Sequence, residues 1–260
     1  MSHPDKHYLI TTNLDLSQLS SKFGYVFGKY ILSGSIVGAN ASIRLLNLNI
    51  DEATHDGTEN VYGGLFKIVL GKVKSITFEG EINITTRNDY ANFIGLLAGQ
   101  NSGSITNCSF VLYESSINLV AYDHLKNPLI AVGGVVGVNS GVISNTVSNN
   151  PDDAISTMVK HVGVQKAIYN GYSKNTRFGG MVGENNGAIV RTIQDKELVL
   201  FNDNINSMIL NIKTEGFSNV GGIVGVHEFK NLSGEFATST IKGHLVTGQI
   251  NAERFAISKD

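Results

Sequence analysis

The chain has 260 residues, 20 basic and 22 acidic side chains and a formal net charge of −2, and no Lys/Arg cluster of the kind that a nucleic-acid surface needs stands out. With 42% hydrophobic and only 16% charged residues it is too apolar for a disordered tail, yet no apolar run reaches the roughly 18 residues of a membrane helix. A single cysteine, Cys108, excludes a small disulfide-stapled fold, while 29 glycines against 3 prolines, with many Val and Ile runs between them, describe a turn-rich β protein.

Residues 1–30 are expected to form a cap or entry segment, because the end of a repeat array exposes edge strands that need cover. Met1-Ser2-His3-Pro4-Asp5-Lys6 lacks the hydrophobic core of a signal peptide, so a secreted parent would carry its signal outside this chain. Ser17 to Phe23 reads as a short helix after Asp15. A repeat region is expected over residues 31–250. In it Tyr62-Gly63-Gly64-Leu65-Phe66, running into Gly71, is a degenerate copy in which Lys67 replaces the third glycine.

Ile94-Gly95-Leu96-Leu97-Ala98-Gly99-Gln100-Asn101-Ser102-Gly103 is the next copy. Val132-Gly133-Gly134-Val135-Val136-Gly137-Val138-Asn139-Ser140-Gly141 is the clearest, and Phe178-Gly179-Gly180-Met181-Val182-Gly183-Glu184-Asn185-Asn186-Gly187 follows. Val220-Gly221-Gly222-Ile223-Val224-Gly225 closes the series without its Asn-x-Gly turn. The first glycines, at 63, 95, 133, 179 and 221, are unequally spaced, as when fixed core strands alternate with variable loops. Matched columns are apolar: Leu65, Leu97, Val135, Met181 and Ile223; Phe66, Ala98, Val136, Val182 and Val224; Val73, Ile105, Ile143 and Ile189. Stacked, they would form aliphatic ladders along a parallel β-helix. The Asn-x-Gly element reads as a corner with Asn or Gly in a left-handed conformation, and Gly-Gly as a bend or close backbone approach.

Two spans, residues 112–128 and 148–176, read as insertions, the second with a short helix over Ala154 to His161 capped by Asp152. Near its end Tyr169, Tyr172, Lys174 and Arg177 form the most interaction-like cluster, a candidate ligand-contact loop. Residues 251–260 read as a tail or linker.

The pattern Gly-Gly-φ-Val-Gly-x-Asn-x-Gly-x-Ile (φ meaning aliphatic) resembles the GLUG repeat of bacterial cell-surface proteins, which include adhesins and the non-catalytic region of some immunoglobulin A proteases. Tyr8 to Ser17 resembles the opening that often precedes such repeats, so that the resemblance runs over roughly residues 8–236. It implies an all-β, right-handed parallel β-helix (β-solenoid) with short helical loops or caps. It implies a place outside the cell or on the bacterial surface, and a role as an adhesin or stalk whose partner is a host or matrix protein or a glycan.

Catalytic signatures are sparse. His227-Glu228 lacks the second histidine of a zinc protease helix, and no Cys or His falls at zinc spacing. The sequence therefore implies no catalytic centre, no metal and no cofactor. Cys108, after Asn107 in a repeated strand, reads as a small buried hydrophobe. The enzymatic rival is a polysaccharide-cleaving β-helix, for which Glu79 and Glu81 would share one face of a strand. A third reading is an accessory, substrate-positioning region of a secreted protease or toxin.

Overall fold

A computed structural model describes residues 3–16, 30–50, 59–87, 89–113, 115–120, 128–147, 162–172, 175–193, 205–215, 218–221, 224–227, 240–242 and 245–255. Among them the protein is all-β, without a helix, and its strands form three parallel sheets of thirteen, five and six strands. The chain visits the sheets in a fixed order. Lys72–Arg87 lies in the thirteen-stranded wide sheet, Asn92–Ile94 in the five-stranded sheet and Ala98–Asn101 in the six-stranded sheet, and Ser104–Thr106 returns to the wide one beside Lys72. The later repeats follow the same path.

Lys72–Arg87 shows why such a segment is a strand. Val73, Ile76, Phe78, Ile82 and Ile84 are buried, while Lys72 and Lys74 are exposed and Thr77, Glu79, Glu81 and Asn83 half-buried. That is the period-2 alternation of a sheet with one buried face. The alternation skips one residue at Ser75, which adopts φ 57°. Asn107, at the matched place in the next repeat, does the same with φ 50°. The shared kink sets Cys108 in the row of Ile76, partly buried against the core.

The aliphatic ladders are present in the register. Ile36, Val73, Ile105, Ile143, Ile189 and Ile241 are successive partners across six strands of the wide sheet. Phe66, Ala98, Val136, Val182 and Val224 are successive partners in the six-stranded sheet. Phe78 and Phe110, paired across the wide sheet, stack with ring centroids 5.1 Å apart. Buried residues from all three sheets make one hydrophobic cluster, each full-sized aliphatic side chain contributing about 1.5–3 kcal/mol.

The Asn-x-Gly corner differs from its expected form. Among the described residues Gly64 is the one glycine with φ in the left-handed region, and Asn101, Asn139 and Asn185 are not left-handed. The glycine is needed for close approach instead. A Cβ on Gly141 would sit 2.1 Å from the carbonyl oxygen of Gly103, and one on Gly187 would sit 2.1 Å from that of Gly141. The asparagines point inward and are fully buried. Asn101 Nδ2 donates to Asn139 Oδ1 at 2.7 Å, and Asn139 Nδ2 donates to Asn185 Oδ1 at 2.6 Å. Buried amides must find partners, and here each finds them in the same residue of the neighbouring repeat.

Both spans read as insertions contain strands. Ser115–Val120 pairs with Lys72–Arg87 on one side and Val162–Tyr172 on the other, and Val162–Tyr172 pairs in turn with Ile205–Glu215. Leu245–Phe255 pairs along its length with Ile205–Glu215, so that the expected tail begins inside a strand. Within the N-terminal segment His7–Ile10 and Leu14–Asp15 pair with Ser35–Ile50. The two short helices expected at 17–23 and 154–161 lie outside the described residues.

Candidate functional site

The outward face of the wide sheet carries a polar cluster drawn from three successive repeats. Arg44 stands on Ser35–Ile50, Glu79 on Lys72–Arg87, and Tyr113 just after Ser109–Leu112. Arg44 Nε donates to Ser42 Oγ at 3.1 Å and lies 3.4 Å from Glu79 Oε1. The Tyr113 hydroxyl donates to Glu79 Oε2 at 2.7 Å. Both oxygens of the carboxylate are thus engaged, and its side chain is 17% exposed against 55% for Arg44. The hydrogen bond to Glu79 raises the Tyr113 pKa above the ordinary phenol value, with desolvation and the negative charge of Glu79 adding to it and Arg44 opposing. The phenol is therefore a neutral donor at physiological pH.

Glu81 stands two residues further along the same half-buried, outward row, as its alternation with Glu79 predicts. The rise of a strand puts the two backbone positions about 7 Å apart. A carboxylate held between a guanidinium and a phenol links strands, and the Arg44 side chain remains the more exposed partner.

Three of the four residues of the expected contact loop are described, and they stand on strands of two different sheets. Tyr169 and Tyr172 belong to Val162–Tyr172 in the wide sheet. Tyr169 stands in register with Ile117 and Ile212, and through Ile117 with the core residue Ile84. Tyr172 stands in register with Val120. Lys174 lies outside the described residues. Arg177 is on Thr176–Gly179 in the five-stranded sheet, where its Nη1 forms an ion pair with Glu184 Oε2. Glu184 Oε1 in turn accepts from Asn186 Nδ2 at 2.8 Å. Arg177 and Glu184 are 15% and 11% exposed, so this guanidinium is committed within the fold.

At the other end of the same row Tyr62 and Phe93 pack with ring centroids 5.3 Å apart. Lys67, standing where the next repeat has Gly99, lays its Nζ 4.7 Å from the centre of the Tyr62 ring. The missing third glycine of that repeat is thus replaced by a cation–π contact. Among the described residues no group of three or more His, Cys, Asp or Glu could hold a metal ion. Burial pushes the Cys108 thiol up to about 12.

Arg44 and its link to Glu79 escaped sequence reasoning, because a register shift between Val37 and Ala41 brings Arg44 beside Glu79, where the pairing that begins at Ser35 and Lys72 would place it beside Glu81. No protein-family model, curated protein or solved structure matches the chain.

Proposed function

We propose that the three parallel sheets wrap into a right-handed β-solenoid, and that the chain is a non-catalytic binding or stalk segment of a larger secreted or surface-attached bacterial protein. The observation that carries this reading is the unbroken row from Ile36 to Ile241, in which one register position recurs through six strands of the wide sheet. Such stacking makes a rigid, repetitive body whose outward faces are free to present side chains. The GLUG resemblance supports the placement at a bacterial surface, with a host or matrix protein or a glycan as partner. The engagement of Glu79 by Arg44 and Tyr113 supports a structural or recognition role for that carboxylate over general-base work.

A second reading rests on Glu79 and Glu81, whose spacing along one strand face falls near that of acid–base carboxylate pairs in glycan cleavage. A glycan and matrix-protein array, followed by a turnover assay on each polysaccharide bound, separates the two. Binding without turnover is the expected result. Turnover abolished by Glu79→Gln or Glu81→Gln would establish the enzymatic reading. A solved structure in which the strands carrying Ile36, Val73, Ile105, Ile143, Ile189 and Ile241 do not stack as successive coils would remove the solenoid.

A further inference from the structure

We infer that the corner end of the wide sheet's outward face, around Lys72 and Lys74, is a binding strip for an acidic polysaccharide. This rests on the reading of the chain as a binding module and names the class of its ligand. Lys72 and Lys74 are exposed and two residues apart on one face of Lys72–Arg87. Neither forms an ion pair with a described residue. His7, Ser35, Lys72, Ser104 and Val142 form one row across five strands, and Thr106 stands beside Lys74 in the next. Among the described residues these two rows contain no Asp or Glu. The nearest acid further along the same strand is Glu79, five residues beyond Lys74 and balanced by Arg44. Roughly 15 Å of strand separates them, more than a Debye length of about 8 Å at physiological salt.

Two cations without an ion pair to a described residue, set among hydroxyls, suit a polymer that carries both anionic groups and hydroxyls. The hydroxyls are already oriented: Ser35 Oγ is 2.7 Å from His7 Nδ1, and Thr106 Oγ1 is 3.2 Å from Ser144 Oγ. Val142, 41% exposed, offers the apolar contact that the C–H face of a sugar ring takes. A nucleic acid would call for a longer run of cations and for aromatic platforms, neither of which these rows provide. A sulfated or uronic-acid chain lying across the strands meets each feature in turn.

The test is direct binding of the whole chain to a sulfated glycosaminoglycan and to a polyuronate, with a neutral dextran, anionic lipid vesicles and duplex DNA in parallel. The acidic glycans are expected to bind, to weaken steeply with added salt, and to lose at least tenfold in affinity in Lys72→Glu/Lys74→Glu. Lys72→Gln/Lys74→Gln should fall between, and Lys67→Gln, which removes a cation from another face, should leave binding unchanged. The inference is overturned if the wild-type chain does not bind the acidic glycans, if the Lys72/Lys74 variants bind as well as wild type while keeping its circular dichroism, or if vesicles or DNA bind as tightly. A neutral glycan or matrix protein bound equally by wild type and variants would leave the binding-module reading standing and remove this one.

Discussion

Asn139 donates its side-chain amide to Asn185 Oδ1 at 2.6 Å, 46 residues further along the chain, with both side chains fully buried. Asn139→Leu fills much of the same space but leaves the Asn101 amide donor and the Asn185 acceptor facing an apolar group. An unsatisfied buried polar group costs about 1–3 kcal/mol. The expected loss is about 2–4 kcal/mol by urea unfolding, and a loss below about 0.5 kcal/mol would show that the amides do not pair.

Gly141→Ala tests the close approach at the corner. Its methyl would fall 2.1 Å from the Gly103 carbonyl oxygen, a backbone atom that cannot move without displacing the neighbouring repeat. Destabilisation of about 1–3 kcal/mol or more is expected. Ser140→Ala, one residue earlier and exposed, should stay within about 0.5 kcal/mol of wild type. Equal effects at the two positions would dismiss the carbonyl contact as the reason for the glycine.

Tyr113 has a raised pKa because its neutral form donates to Glu79. A raised folded-state value means that the contact stabilises the fold fully below the unfolded phenol pKa, about 10, and that this contribution disappears as pH climbs through the folded value. Spectroscopic titration of phenolate formation should show one tyrosine moving to lower pH in Glu79→Gln. An unchanged titration curve would mean that the hydrogen bond is not made in solution.

Cys108, its thiol held up to about 12 and its Sγ donating to the Thr106 carbonyl at 3.3 Å, should resist thiol reagents at neutral pH. Labelling of the folded chain is expected to be at least about a hundredfold slower than in denaturant, since the unperturbed thiol titrates near 8.5. Comparable rates in the two states would place Cys108 at an accessible surface.

The apolar columns were legible because Val, Ile and Leu recur at fixed offsets from paired glycines, and the register confirms the Val73–Ile105–Ile143–Ile189 and Phe66–Ala98–Val136–Val182–Val224 rows. The asparagines were visible but misread. Local propensity makes Asn a turn former, and only stacking of whole repeats reveals that Asn101, Asn139 and Asn185 satisfy one another. Ser115–Val120 and Val162–Tyr172 escaped because no Gly-Gly or Asn-x-Gly marks them; their pairing comes from neighbours far along the chain. Arg177 looked available because its partner Glu184 lies beyond the Gly-Gly bend, on a different sheet.

The two kinds of row answer perturbation differently. In the aliphatic row each side chain contributes by its own buried surface, so changes at Val73 and Ile189, three strands apart, should sum. The amide row runs donor to acceptor in one direction, Asn101 to Asn139 to Asn185, and each amide is polarised by the one before it. Its middle member therefore answers to both ends: once either terminal asparagine has been replaced, the second replacement acts on an Asn139 already altered by the first. Insertion of one more complete repeat would lengthen that line of aligned dipoles, whereas a repeat lacking its asparagine would divide it into two shorter, weaker circuits.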